Sequence, residues 1–193
     1  MSERPEPIAL VERFWDALYD RDWPRIGSFF TDESVYWDVP TGPTTAAKGP
    51  AAIEARLRLG LEGLSGYEHT RGAIVAGDGL VVTEHAETWH WETGETVTLP
   101  FVSVQEVDGD HILVWRDYWD YQTLWNAAPQ AWHDRLLTAD LWWLHDASSL
   151  VVGSGRRSGP GGPPLLPAPP GPSGAVGPAG AGESFTAGPG GAG

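Results

Sequence analysis

The stretch Val-Trp-Arg-Asp-Tyr-Trp-Asp at residues 114–120 follows a turn, Asp-Gly-Asp at 108–110, and predicts a β-strand. Because side chains alternate across a strand, Trp115, Asp117 and Trp119 are expected on one face. A carboxylate between two indoles is costly on a dry face, and burial would raise its pKa toward the range of a catalytic acid or base. The alternative is a structural role, in which Asp117 pairs with a buried arginine or caps a neighbouring loop.

The stretch lies in the last of four segments in which apolar and polar residues alternate. They cover residues 67–75, 80–91, 96–107 and 111–121, and short Gly/Asp turns join them, which predicts an antiparallel meander. Upstream, amphipathic helices are predicted over residues 6–20, after Asp22, and from about Ala51, with a short strand at 35–39. Helices followed by a meander predict an α+β fold with a curved antiparallel sheet wrapped around the N-terminal helices and a pocket between them.

The chain divides into three predicted regions. Residues 1–128 are expected to form the pocket domain, and residues 129–150 a helical extension with its helix from Pro129 to about His145. That helix could close the mouth of the pocket, cover a partner subunit, or pack outside the sheet. Residues 151–193 are rich in Gly, Pro and Ala, so they cannot bury enough apolar area to offset their chain entropy, and we predict disorder there.

Composition limits the possible partners. Twelve basic against 26 acidic residues give a formal charge of −14, which repels nucleic acid and anionic membranes, so neither is expected as a partner. The chain has no cysteine, no apolar signal-peptide core and no run long enough to span a bilayer, so a cytoplasmic protein is the default expectation. Eleven tryptophans favour a roomy aromatic-lined interior, or simply a Trp-rich core.

Polar side chains recur on the strand faces that are expected to meet in the pocket. His85 and Glu87 share a face of the second predicted strand, and the short strand adds Tyr36 and Asp38. Like charges in an apolar pocket cannot all stay ionised, and acids with divergent pKa values can run acid and base catalysis together. Each residue also has a structural alternative: a neutral core histidine, a solvent-facing glutamate, a core tyrosine and a turn-forming aspartate.

Metal and nucleotide chemistry are not expected. His85, Glu87 and Asp117 could supply three ligands, but His90 falls on the opposite face and no second histidine stands at ligand spacing. The sequence has no His-Glu-x-x-His motif, no Gly-rich phosphate loop after a strand and no Gly-x-Ser-x-Gly elbow. We therefore predict no metal and no cofactor.

Five short motifs between residues 8 and 124 resemble the limonene-1,2-epoxide hydrolase family. They are Trp-Pro-Arg-Ile at 23–26, Phe-Phe at 29–30, Val-Tyr-Trp-Asp-Val-Pro at 35–40, Leu-Pro-Phe at 99–101 and the run at 114–120. That family belongs to the nuclear-transport-factor-two-like superfamily, with polyketide cyclases and steroid isomerases. The resemblance implies a cone-shaped, cystatin-like α+β barrel with a deep pocket, and a homodimer.

The resemblance also implies roles for individual residues. In those hydrolases an Asp on the last strand activates water with help from a Tyr and an Asn, a second Asp protonates the epoxide, and an Arg links the two carboxyls. By position, Asp117 matches the base and Tyr36 the tyrosine. Asp38, Glu87 and His85 stand where the Asn, the acidic Asp and the Arg would be, so three of the five positions depart from the pattern. A histidine cannot supply the forked, permanent charge of an arginine.

Three hypotheses follow. The first is hydrolysis of a small or medium-sized apolar epoxide with Asp117 as the base, in a site lined by Leu57, Leu61, Trp89, Leu99, Phe101, Trp119 and Leu124. The second is a cyclase, isomerase or dehydratase that moves a proton at carbon with His85 or Asp117. The third is a non-catalytic protein that binds an apolar ligand.

Overall fold

The computed structural model describes residues 6–151, which form five α-helices and seven β-strands. The helices are α1 (Glu6–Tyr19), α2 (Trp23–Gly27), α3 (Pro50–Leu61), α4 (Tyr121–Ala127) and α5 (Gln130–Thr138). The strands are β1 (Val35–Asp38), β2 (Ala46–Lys48), β3 (Gly66–Gly77), β4 (Leu80–His90), β5 (Thr96–Asp108), β6 (His111–Trp119) and β7 (Leu144–His145). From residue 152 onward, the predicted disordered tail lies outside the described residues.

The strands form one curved, open sheet in the order β3-β4-β5-β6-β1-β2-β7, and the α+β prediction is confirmed. Strands β3 to β6 make the predicted antiparallel meander. Strand β1 continues the sheet by pairing in parallel with β6, which sets Tyr36 opposite Trp115 and Asp38 opposite Asp117. This register brings the polar residues of the short strand beside those of the last long strand.

The N-terminal helices pack on the inner face of the sheet through an aromatic core. Helix α1 buries Phe14 and Trp15, whose rings lie 4.9 and 5.7 Å from the Trp115 ring. Helix α2 begins after Asp22, whose carboxylate accepts a hydrogen bond from the Arg25 amide at 3.2 Å. Burial of Trp115 between α1 and the sheet fixes the inward face of β6. No helix of residues 6–151 is both long and apolar enough to cross a membrane.

The C-terminal region differs from the prediction of one helix from Pro129 to about His145. Helix α5 ends at Thr138, and the chain then turns back to form β7, where Leu144 pairs with Ala47 of β2. The apolar spacing continues past residue 138, but backbone hydrogen bonds to the open edge of β2 replace those of a longer helix. The last long strand is also shorter than predicted, because Asp120 caps the N-terminus of α4.

A register shift in β3 contains a glycine that lies close to the neighbouring strand. The pairing of β3 with β4 shifts register between Arg71 and Ile74, which marks a bulge. A methyl group on Gly72 within this bulge would overlap the carbonyl oxygen of Glu84, whereas a methyl on Gly77 in the same strand would meet no atom within 4 Å.

We therefore expect Gly72→Ala to lower the free energy of unfolding by about 1–3 kcal/mol, because the backbone must shift to accept the methyl group. Gly77→Ala is the matched control and should change it by no more than about 0.5 kcal/mol. Urea denaturation of both variants measures the difference. Equal stability of the two variants would show that the bulge tolerates a side chain.

Candidate active site

A cavity of about 280 Å³ lies between the inner face of the sheet, helix α3 and the segment that includes α5 and β7. Six of the seven residues predicted to line a substrate site line this cavity: Leu57, Leu61, Trp89, Phe101, Trp119 and Leu124. Leu99 does not line it, because the surrounding core covers its side chain completely. The C-terminal segment contributes Trp132, Leu136 and Trp143, so it covers the cavity with apolar groups.

Asp117 lines the cavity and is only 4% exposed. Its Oδ1 atom lies 2.5 Å from the Ser103 hydroxyl oxygen and accepts a hydrogen bond from the Trp115 indole N–H. Its Oδ2 atom has no hydrogen-bond partner among residues 6–151. Burial, followed by the negative charge of Asp38, raises the pKa of Asp117 well above its usual value. One carboxyl oxygen is thus held by the protein, and the other is left for a molecule in the cavity.

Asp38 lies beside Asp117 on the neighbouring strand and is held by three donors. The Tyr36 hydroxyl and the Trp119 indole N–H donate to its Oδ1 atom at 3.0 and 2.8 Å. Arg56 of α3 donates to its Oδ2 atom at 2.7 Å, and the Arg56 side chain is 9% exposed. Asp38 is therefore the partner of a buried cation, and its charge is compensated in the cavity wall.

Glu87 is the third carboxyl that lines the cavity. Its Oε1 atom accepts from the hydroxyls of Tyr19 and Tyr67 at 2.7 and 2.8 Å, and its Oε2 atom accepts from the Trp89 indole N–H at 3.0 Å. Burial raises the pKa of Glu87, while these three donors act in the opposite direction. Glu87 is thus desolvated like Asp117 but better supplied with hydrogen bonds.

His85 does not line the cavity and contacts neither Asp117 nor Glu87 directly, contrary to the prediction that it links the two carboxyls itself. Its ring packs between Trp15 and Phe101, at 4.8 and 5.4 Å between centroids, and Phe101 stands between it and the cavity. Its Nε2 atom lies 2.8 Å from the Ser103 hydroxyl, and its Nδ1 atom lies 3.3 Å from the Tyr19 hydroxyl. Burial lowers the pKa of His85 to about 3, with a smaller contribution from His69, so the ring is neutral.

The candidate active site also contains polar residues that were not predicted from the sequence. Arg56 is the most important, because it supplies a cation to the cavity. Helical spacing could have indicated Arg56, because position 56 lies four residues after Ala52 and four before Gly60, on the inward face of α3. Tyr19, Tyr67 and Ser103 complete the set: strand register places Tyr67 and Ser103 near the carboxyls, and the packing of α1 on the sheet places Tyr19. Among the described residues, no three His, Asp or Glu side chains are grouped as a metal ion would require.

Comparison with known proteins identifies the family of this fold. Residues 11–115 match the model of the SnoaL-like domain, which is more than half of the chain. A protein assigned as a SnoaL-like polyketide cyclase from Shewanella putrefaciens is 20% identical with a TM-score of 0.58, over 65% of this chain and 97% of that one. An LEH-like epoxide hydrolase from M. tuberculosis is 25% identical with a TM-score of 0.54, over 69% of this chain and 97% of that one. A protein with a ketosteroid isomerase-like fold from Catenulispora acidiphila is 16% identical with a TM-score of 0.56, over 65% and 93%.

Replacing Arg56 by Met should lower the free energy of unfolding by about 3 kcal/mol, because it leaves the Asp38 carboxylate desolvated without its cation. The control is Arg58→Met on the same helix, whose ion pairs with Glu54 and Glu62 are more exposed and should matter by less than about 1 kcal/mol. Urea denaturation compares the two. Recovery of stability in the double variant Arg56→Met/Asp38→Asn would assign the loss to the unpaired charge, and an equal effect of both arginines would contradict this account.

Asp117→Asn should stabilise the protein at neutral pH. Because burial raises the pKa of Asp117 above its usual 3.8, the folded protein holds a proton that the unfolded chain releases in this pH range. The free energy of unfolding therefore falls as pH rises from the usual value toward the raised one. Asparagine does not titrate, so the gain should be present at neutral pH and vanish below about pH 3.8. Asp120→Asn should give no such gain, because a Thr123 hydrogen bond lowers the pKa of that exposed carboxyl; a similar gain there would contradict the prediction.

Proposed function

Because the chain belongs to the SnoaL-like domain family, we propose that it is an acid–base enzyme that adds water to epoxides of small or medium-sized apolar molecules. The observation that carries this proposal is the Asp117 carboxyl, desolvated in an aromatic-walled cavity with its Oδ2 atom unpartnered among residues 6–151. A carboxylate that loses its water shell is a stronger base, and a free oxygen gives it a place to accept a proton.

The water that Asp117 activates would lie between Asp117 and Tyr36. The Tyr36 hydroxyl donates its single hydrogen to Asp38, so its oxygen can accept one from a water molecule. A water that donates one hydrogen to Tyr36 and the other to Asp117 Oδ2 keeps its lone pairs directed at the substrate. Asp38 then acts through Tyr36 by fixing the direction of that hydroxyl.

Glu87 would be the acid, since it is the other desolvated carboxyl that lines the cavity. In the reaction the water oxygen bonds to an epoxide carbon while the carbon–oxygen bond of the ring breaks. Asp117 takes a proton from the water and Glu87 gives a proton to the released oxygen, so the product is a vicinal diol. Each turnover thus moves one proton onto Asp117 and one off Glu87.

The cavity limits the substrate by size and polarity. A volume of 280 Å³, at about 30 Å³ for each water-sized group, holds roughly ten non-hydrogen atoms. Its walls are mostly leucine and tryptophan, so the substrate should be apolar apart from the epoxide oxygen. The 25% identity with the LEH-like epoxide hydrolase over 69% of this chain supports the choice of an epoxide.

Proton transfer at carbon, as in an isomerase, cyclase or dehydratase, is the second candidate. The observation that favours it is the set of three donors around Glu87, which also suits a permanently ionised carboxylate. Asp117 would then act alone, taking a proton from a carbon acid and returning it at another position. His85 cannot share that task by direct contact, because it does not line the cavity.

Hydrolysis of a panel of cyclic and linear apolar epoxides in H₂¹⁸O tests the proposal. We expect a diol that carries one labelled oxygen, and a loss of turnover of at least about 10²-fold in Asp117→Asn. Asp120→Asn is the matched control, because it makes the same substitution three residues away on the surface and asparagine still caps helix α4.

The other outcomes separate the remaining hypotheses. Exchange of an acidic C–H hydrogen with D₂O, without diol formation, would contradict epoxide hydrolysis and favour the second candidate. A tryptophan fluorescence change on ligand binding, with neither reaction, would contradict both and favour a binding protein.

A further inference from the structure

We propose that Asp117 and Glu87 share one proton through a relay of three side chains, Ser103, His85 and Tyr19, that runs behind the cavity wall. The contacts form an unbroken chain. Asp117 Oδ1 lies 2.5 Å from Ser103 Oγ, which lies 2.8 Å from His85 Nε2. His85 Nδ1 lies 3.3 Å from the Tyr19 hydroxyl, which lies 2.7 Å from Glu87 Oε1. The proposal rests on the role given above to the two carboxyls.

The number of available hydrogens requires all hydrogen bonds of the relay to be donated in the same direction at any one time. The neutral His85 ring carries one hydrogen, and Ser103 and Tyr19 carry one each. If Tyr19 donates to an ionised Glu87, its oxygen accepts from His85 Nδ1–H, and His85 Nε2 must accept from Ser103. The Ser103 oxygen can then only accept, so the neighbouring Oδ1 atom of Asp117 must carry a proton.

The reverse arrangement places the proton on Glu87. A protonated Glu87 donates to Tyr19, Tyr19 donates to His85 Nδ1, His85 Nε2–H donates to Ser103, and Ser103 donates to an ionised Asp117. The two arrangements differ by four short hydrogen transfers, and the net result is one proton moved between the carboxyls. No intermediate side chain gains or loses charge, and only the tautomer of His85 changes.

The relay would restore the protonation states of the two carboxyls after each turnover of the proposed reaction. Each turnover leaves a proton on Asp117 and removes one from Glu87, so the two carboxyls must be reset before the next substrate. The relay starts at the Oδ1 atom of Asp117, which Ser103 and Trp115 contact, and it leaves the Oδ2 atom to the substrate. The proton can therefore return to Glu87 along the back of the wall while product still occupies the cavity.

The donors that do not take part decide which arrangement prevails at rest. Trp115 donates to Asp117 and Trp89 donates to Glu87, and an indole N–H can only donate. Tyr67 gives Glu87 a further donor. Glu87 thus has the larger set of donors and is the better place for the negative charge, so the proton of the resting protein belongs on Asp117 and the His85 hydrogen on Nδ1. Catalysis uses the other, less populated arrangement, which the relay supplies by moving that proton to Glu87.

The ¹⁵N resonances of His85 test the relay without any substrate. In Asp117→Asn the Trp115 N–H requires an acceptor, so the amide oxygen takes the Oδ1 position and accepts from Ser103 as an ionised carboxylate would. We expect the ring hydrogen on Nδ1 in the unsubstituted protein and on Nε2 in this variant. Glu87→Gln is a second variant with the same expectation, because Trp89 fixes its amide oxygen and its NH₂ group faces Tyr19. The same nitrogen protonated in all three proteins would overturn the relay.

Steady-state turnover of two matched variants, Tyr19→Phe and Tyr67→Phe, provides a second test of the relay. Each substitution removes one donor to Glu87 Oε1, but only Tyr19 contacts His85. We expect the steady-state turnover of Tyr19→Phe to fall by about 10²-fold and to recover as formate or imidazole buffer is increased, since a small buffer can enter the cavity and carry the proton. Tyr67→Phe should show no dependence on buffer.

Equal buffer dependence of the two variants, or none in either, would contradict the relay. If no epoxide is turned over, the proposed function fails, and the tautomer of His85 still decides whether the relay exists.

Discussion

The constraint on which this structure depends is the withdrawal of the Asp117 carboxyl from water. Its backbone belongs to the central part of the sheet, and Trp115 and Trp119 flank it on the same face of β6. Parallel pairing with β1 adds Tyr36 and Asp38 to that face, and the packing of Trp115 against α1 keeps it dry. Fold and chemistry are therefore coupled, because the aromatic core that stabilises the domain also raises the pKa of its central acid.

Charge in the cavity wall is balanced unevenly. Of the three carboxyls that line it, Asp38 has a buried arginine, while Asp117 and Glu87 have only neutral donors. Because no cation among residues 6–151 balances Asp117 and Glu87, the two carboxyls are expected to share a single proton, whereas Asp38 stays ionised beside its arginine. This arrangement suits a reaction that needs a base and an acid together, and the neutral side chains between the two carboxyls provide a path for that proton.

The sequence predicts much of the fold, because the meander and α1 follow strong two-residue and helical periodicities. Strand β2 and strand β7 are too short to show a pattern, and residues beyond Thr138 keep helical spacing although they turn back to the sheet edge. Alternation along strands also brought Asp117, Glu87, Tyr36 and Asp38 to one cavity. It could not show that Phe101 separates His85 from that cavity, nor that Arg56 reaches Asp38, since both depend on how elements pack.

The most direct test of this account is the titration of the Asp117 side chain itself. The ¹³C resonance of its carboxyl carbon, followed against pH in the intact protein, reports the ionisation of that group without substrate. We expect a midpoint well above 3.8 for Asp117, and one below that value for the exposed Asp120 carboxyl in the same protein. A midpoint for Asp117 at or below 3.8 would show that its carboxyl is solvated or compensated, and would contradict the desolvated acid on which the proposed chemistry rests.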